Sequence, residues 1–170
     1  ALFEGRKITV LGLGLLGRGV GDAEFLAKCE AHVLVTDKKT EKQLAESVEK
    51  LKQYPNVSFR LGKHDEKDFT DCDLVIKGAK TPVDSPYIAA AKKAGVPVVM
   101  STALFAKYAM QEGVVVVGVT GTRGKSTVTH MIHHVLSQVT GEKVLLGGNV
   151  RGVSNLQLLN EVQEDSLCVM

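Results

Sequence analysis

Two glycine-rich stretches in this chain carry residue types able to do chemistry. In the second, Thr120-Gly121-Thr122-Arg123-Gly124-Lys125-Ser126-Thr127 follows the apolar run 114–119 and leads into an amphipathic stretch. Loop N–H groups and the unpaired N–H groups of a following helix converge on one spot, where the helix dipole favours an anion and Lys125 adds a mobile positive charge. The order of parts suits a nucleoside triphosphate: Lys125 reaches the β- and γ-phosphates, while Ser126 or Thr127 offers a hydroxyl to Mg²⁺. An ordinary strand-to-helix turn would leave a lysine and two hydroxyls together at the helix start without a reason. In the first stretch, Gly12-x-Gly14-x-x-Gly17 follows the strand-like segment 7–11, and Asp37 closes another apolar run 20 residues beyond Gly17. That arrangement is a dinucleotide-binding fingerprint. Gly12 makes the tight turn, Gly14 lets the backbone approach a pyrophosphate, Gly17 allows close helix–strand packing, and Asp37 accepts a hydrogen bond from a ribose or base.

The elements that must position these loops alternate between strand and helix signals, the pattern of a parallel sheet with crossover helices. The reading is a Rossmann-like α/β domain over residues 1–112, followed from 113 to 170 by the start of a P-loop-type α/β ATP-binding domain that is unfinished within this chain. Strands are expected at 7–11, 32–37, 56–60, 73–77 and 96–100, then at 114–119, 143–146 and from 166 onward. Thr40, with Gln43 three residues on, forms a capping box ahead of a helix with Leu44, Val48 and Leu51 on one face. Ser85, Pro86 and Gly95 frame another helix, and Ser101 caps one with Leu104, Phe105 and Tyr108 inward. A helix over 125–138 places Val128, Met131, Ile132, Val135 and Leu136 on one stripe against its sheet, and 156–162 reads as a further helix.

Composition bounds the rest. The 170 residues carry 44% hydrophobic and 24% charged side chains with a formal net charge of +2, enough core for folding and too little charge for nucleic acid. Cys29, Cys72 and Cys168 are odd in number and far apart, which points to a reducing cytoplasm rather than a disulfide framework. No apolar run approaches the ~20 residues of a membrane span, so no membrane partner is expected, and the chain reads as a monomer. His130, His133 and His134 lie on the helix after the second loop, but no carboxylate or cysteine joins them in sequence, and they read as exposed positions opposite the stripe.

The second loop departs from the general pattern G-x-x-x-x-G-K-[ST], which asks for glycine where Val119 stands. Its shortened form resembles the ATP loop of the Mur ligase and folylpolyglutamate synthase superfamily. The wider set, GLGLLG at 12–17, Asp37, SPYIAAAKKAGVPV at 85–98, STALF at 101–105, GVTGTRGKSTVT at 118–129 and GGN at 147–149, resembles the D-glutamate-adding branch of the Mur ligases over nearly the whole chain. That resemblance implies UDP-N-acetylmuramoyl-L-alanine, D-glutamate and ATP as substrates, with Mg²⁺ as cofactor, in cytoplasmic peptidoglycan precursor synthesis. It places Gly12, Gly14, Leu15, Leu16, Gly17 and Asp37 at the uridine end, with Lys38 nearby and Asn149 facing the sugar nucleotide. Gly121, Thr122, Arg123, Gly124, Lys125, Ser126 and Thr127 would hold the ATP phosphates, with Lys125 catalytic and Ser126 or Thr127 on the metal. The chain departs from the family at Arg123, usually asparagine, at Gly78-Ala79-Lys80, usually Ser-Pro-Gly, and by one extra residue in 148–152. The competing readings are an NAD-dependent oxidoreductase using the first loop, another Mur-type amino-acid ligase, and a non-enzymatic nucleotide-sensing module.

Overall fold

The computed structural model describes residues 2–13, 17–79, 81–82, 84–148, 150 and 152–170. Strands and helices alternate as the sequence requires, and the chain divides into two compact units, Ala1–Ser101 and Thr102–Met170.

The first unit runs β1 (Lys7–Leu11), α1 (Arg18–Lys28), β2 (His32–Asp37), a 3-10 turn at Glu41–Leu44, α2 (Ala45–Lys52), β3 (Val57–Leu61), α3 (Lys67–Thr70), β4 (Leu74–Lys77), α4 (Pro86–Lys93) and β5 (Val98–Val99). Its strands are all parallel, in the order β3-β2-β1-β4-β5. The apolar run of β1 sits at the centre because both of its faces must be covered, and Ile8 and Val10 are buried. The chain leaves β1 for β2 and β3, then returns to the other side for β4 and β5, so the strand order reverses between β1 and β4. In open sheets of this kind ligands bind at the carboxyl ends beside that reversal. Phe69 of α3 and Ile88 and Ala91 of α4 pack with Leu11, Val75 and Val96 in one apolar cluster.

Local signals account for much of this. The Thr40 N–H donates to Gln43 Oε1 at 3.0 Å, and Leu44, Val48 and Leu51 are buried along one side, although the element opens as a 3-10 turn before becoming α-helical. Ser85 and Pro86 start α4, and Gly95 follows its end at φ 75°. Elsewhere the expectation is trimmed. Of 96–100 only Val98–Val99 pairs in the sheet, since Pro97 has no N–H to give and the chain turns into a helix at 101. The strand expected over 114–119 pairs only through Val115–Val117, and 156–162 forms a 3-10 helix at Gln157–Glu161. The short α3 was not foreseen; Asp65 and Asp68 side chains accept local backbone N–H groups there.

The second unit contains α5 (Ser101–Gln111), β6 (Val115–Val117), α6 (Lys125–Val139), β7 (Val144–Leu146), the 3-10 helix and β8 (Leu167–Val169), with the parallel order β6-β8-β7. Phe105 and Ala109 of α5 are fully buried in a cluster with Val114, Leu145, Leu158 and Cys168. The helix expected to close the first domain therefore packs with the second unit, which begins at Thr102 rather than at 113.

Of the stripe expected to bury α6, only Ile132 and Leu136 turn inward. Val128, Met131 and Val135 are 43%, 62% and 56% exposed, and Val139 continues the same exposed line. The helix instead turns Thr129, Ile132, His133 and Leu136 inward, with Thr129 buried and the other three half-buried. That face meets β7 and β8. His133, expected on the exposed side, places Nε2 3.2 Å from the Val144 carbonyl oxygen of β7.

Candidate functional site

The first loop leaves the carboxyl end of β1 at the strand-order reversal. Gly14, Leu15 and Leu16 lie outside the described residues, as does Asn149 in the second unit. What is described shows how the loop is held. The Gly12 N–H donates to the Thr36 carbonyl at 2.8 Å and the Leu13 N–H to Asp37 Oδ2 at 3.0 Å, while Asp37 Oδ1 accepts the Lys39 N–H at 2.9 Å. Asp37 is 8% exposed, so these bonds compensate its burial, and each oxygen retains capacity to accept a ligand donor. Lys38 is exposed beside it.

A close approach like the one expected of Gly17 is present at a second glycine, Gly19. Gly17 is the N-cap of α1, at φ 78°. It is at Gly19 that a Cβ would lie 2.5 Å from the Leu13 carbonyl oxygen and 2.7 Å from that of Gly12. The helix thus meets the loop at Gly19, while Gly17 turns the chain into α1.

The second loop leaves the carboxyl end of β6. Gly124, at φ 75°, is the N-cap of α6, so the helix begins at Lys125 and its first N–H groups have no partner within the helix. Lys125 Nζ donates to the Gly121 carbonyl at 2.5 Å, which draws the ammonium back over its own loop. Lys125, Ser126, Thr129 and His130 line one side of a cavity of about 330 Å³. Val119, Gly147, Val150 and Met170, at or beyond the ends of β6, β7 and β8, complete it. Gly121, Thr122, Arg123, Gly124 and Thr127 are all exposed around the loop. A cavity that joins an ammonium, a hydroxyl and a helix N-terminus suits an anion with a hard cation, since Mg²⁺ takes oxygen ligands and keeps part of its water. Among the described residues, no group of three or more His, Cys, Asp and Glu side chains is placed to hold a metal ion.

Several roles at or around these sites escaped the sequence reading. Thr129 and His130 stand three and four positions after Ser126, a spacing that puts them on its helix face. Asn155 is 1% exposed and accepts the Gly148 N–H through Oδ1 at 2.7 Å, fixing the turn after β7. No local pattern marks it. Cys168 lies in the second core, where burial pushes its thiol up to about 12, so it packs rather than reacts.

With the geometry in place, the likenesses to known proteins fall on the same two regions. Residues 6–100 match the description "Mur ligase MurD-like, N-terminal domain", and residues 119–168 match "Mur ligase middle domain". The UDP-N-acetylmuramoylalanine–D-glutamate ligase of Borreliella afzelii is 33% identical over 165 residues, 96% of this chain and 35% of that protein. The enzyme of the same name from Koribacter versatilis is 34% identical over 160 residues, 93% of this chain and 34% of its own length. This chain therefore spans about a third of the length of these relatives. Among solved structures, the UDP-N-acetylmuramate-alanine ligase MurC of Thermotoga maritima aligns with a TM-score of 0.51 and 26% identity over 86% of this chain and 32% of its own. A pseudomurein peptide ligase type C from Methanothermus fervidus shares the fold, with a TM-score of 0.51 and 22% identity over 96% of this chain and 32% of its own. No helix among the described residues is long and apolar enough to cross a membrane. Two matched domains in the same order as the two loops, one of them covering more than half of the chain, establish that the chain belongs to the Mur ligase family.

Proposed function

We propose that this chain supplies the nucleotide-sugar and ATP-phosphate sites of a cytoplasmic, monomeric, ATP-dependent ligase that adds D-glutamate to UDP-N-acetylmuramoyl-L-alanine in peptidoglycan precursor synthesis. The observation that carries this reading is the cavity at the second loop, where Lys125 and Ser126 face the ends of β7 and β8. A dinucleotide-binding loop precedes it in the same chain.

In this reading the loop N–H groups and Lys125 hold the ATP phosphates, and Lys125 exchanges the Gly121 carbonyl for phosphate oxygen when the nucleotide enters. Ser126, which lines the cavity, offers the metal its hydroxyl, with Thr127 next to it in sequence. Bound Mg²⁺ would neutralise charge on the phosphates. The overall chemistry passes the γ-phosphoryl group to the substrate carboxylate, after which the D-glutamate amine displaces phosphate to leave an amide. Lys125 and the loop amides are aimed where negative charge gathers during that transfer, and preorganised donors of this kind are often the largest catalytic contribution. Gly12, Gly17, Asp37 and Lys38 surround the uridine end, with Gly14, Leu15, Leu16 and Asn149 assigned by position in the sequence. The match over residues 6–100 favours a nucleotide sugar over NAD at the first loop.

Calorimetric titration of this chain separates the alternatives. UDP-N-acetylmuramoyl-L-alanine and Mg·ADP are expected to bind without competing. Lys125→Ala should weaken Mg·ADP by about 10- to 100-fold, the worth of one charge-assisted hydrogen bond, and leave the sugar nucleotide unchanged. Tight NADH binding with no response to the sugar nucleotide would overturn the reading.

A further inference from the structure

The first unit contains an imidazole that the fingerprint does not use. His64 lies in the segment between β3 and α3, and its Nδ1 is 2.7 Å from Oγ1 of Thr36, a fully buried residue one position before Asp37. The ring meets Phe69 of α3 edge-on at 5.9 Å between centroids and Tyr87 of α4 edge-on at 5.0 Å, while Phe69 and Tyr87 stack on each other at 5.1 Å. One half-buried side chain thus ties the carboxyl end of β2 to α3 and α4. Thr36 is also the residue whose carbonyl accepts the Gly12 N–H, and its neighbour Asp37 accepts the Leu13 N–H. The glycine loop hangs from the end of β2 by these two bonds, and His64 pins that strand end from its side chain.

We propose that His64 is a positioning residue for the uridine-end site, holding Thr36 so that the Gly12–Leu13 backbone and the Asp37 carboxylate are set before the ligand arrives. The inference rests on the nucleotide-sugar reading of the first loop. A neutral imidazole suits the place. Burial, followed by the positive charge of Lys38, holds the ring below its ordinary value, against the opposite pull of Asp37 and Asp68. Around the ring stand Asp37 at the end of β2, Lys38 just after it, Asp68 of α3, and Tyr87 of α4. Asp68 is itself paired with Arg60, whose Nε lies 2.7 to 2.8 Å from both of its oxygens. Because the folded value is lowered, the neutral, positioning form is complete above the ordinary imidazole range. It persists below that range in the folded protein and is lost only as pH falls through the lowered value.

Titration of UDP into the chain tests this. His64→Ala is expected to weaken UDP about tenfold at pH 7.5, the effect of one lost hydrogen bond. His64→Asn, whose amide can still meet Thr36 Oγ1, should stay within about threefold of wild type. His64→Gln, whose amide stands where Nε2 was, should behave like alanine and serves if the alanine variant does not fold. With the His64 ring followed by NMR as pH is lowered from 7.5, wild type should lose more affinity than His64→Asn once the ring protonates, a comparison in which protonation of UDP itself cancels. Equal UDP affinity in wild type and in the alanine or glutamine variant overturns the role of His64 alone, as does failure of asparagine to rescue or an identical pH response. Failure of wild type to bind UDP overturns the nucleotide-sugar reading and this inference with it.

Discussion

The loop after β1 and the loop after β6 both leave the carboxyl end of a parallel strand and both enter a helix whose N-cap glycine is left-handed, Gly17 at φ 78° and Gly124 at φ 75°. They differ in what holds them. The described part of the first loop is tied to a neighbouring strand through Thr36 and the buried carboxylate of Asp37, and α1 presses on it at Gly19. The second closes on itself through Lys125 and Gly121, beside a cavity whose far wall is the turn fixed by Asn155. The helices repeat the contrast: α1 buries most of its length, whereas only Thr129 is buried along the fifteen residues of α6. On the proposed function, the site for the nucleotide-sugar end is set in advance by long-range bonds, whereas the phosphate site carries its main charge on a side chain held by its own loop.

The comparison can be broken most sharply at Gly19. Gly19→Ala forces a methyl group against two backbone oxygens that cannot move without the loop, and should cost about 2–3 kcal/mol, read as a lower urea midpoint with lost amide protection in β1 and β2. Preserved stability would mean that the first loop is no more tightly held than the second. A smaller effect is expected in the second unit. Asn155→Ala strips the Gly148 N–H of its partner and should cost about 1–2 kcal/mol, seen as faster hydrogen exchange at Gly147 and Gly148 while the first unit is unchanged. The smallest belongs to the exposed stripe. Met131→Lys should change the unfolding free energy read from urea titration by no more than about 0.5 kcal/mol in this chain, since the side chain is 62% exposed. A loss several times larger would mean that α6 is buried as its periodicity suggests.

That last case shows where reading the sequence reaches its limit. The apolar spacing of residues 128–136 correctly identifies a helix, because a repeat of 3.6 residues is a property of the local chain. It does not say how wide a sheet the helix covers. With β7 and β8 on one flank, the inward face rotates to Thr129, Ile132, His133 and Leu136. Capping gave a better return at Ser85, Pro86 and Gly95, where each signal acts on the backbone beside it and α4 is bounded as expected.

By itself, the sequence determined the alternation of strands and helices, the two glycine loops at strand-to-helix junctions, and the lysine and hydroxyls grouped at the second. All of these follow from residues adjacent in the chain. Only the tertiary structure decided that Gly19 takes a close approach to the loop, that Asn155 and His64 brace turns and strand ends far from themselves in sequence, and that α5 joins the second unit. Those outcomes depend on which surfaces meet once the sheets form, and burial and hydrogen-bond satisfaction are settled between partners that no local pattern brings together.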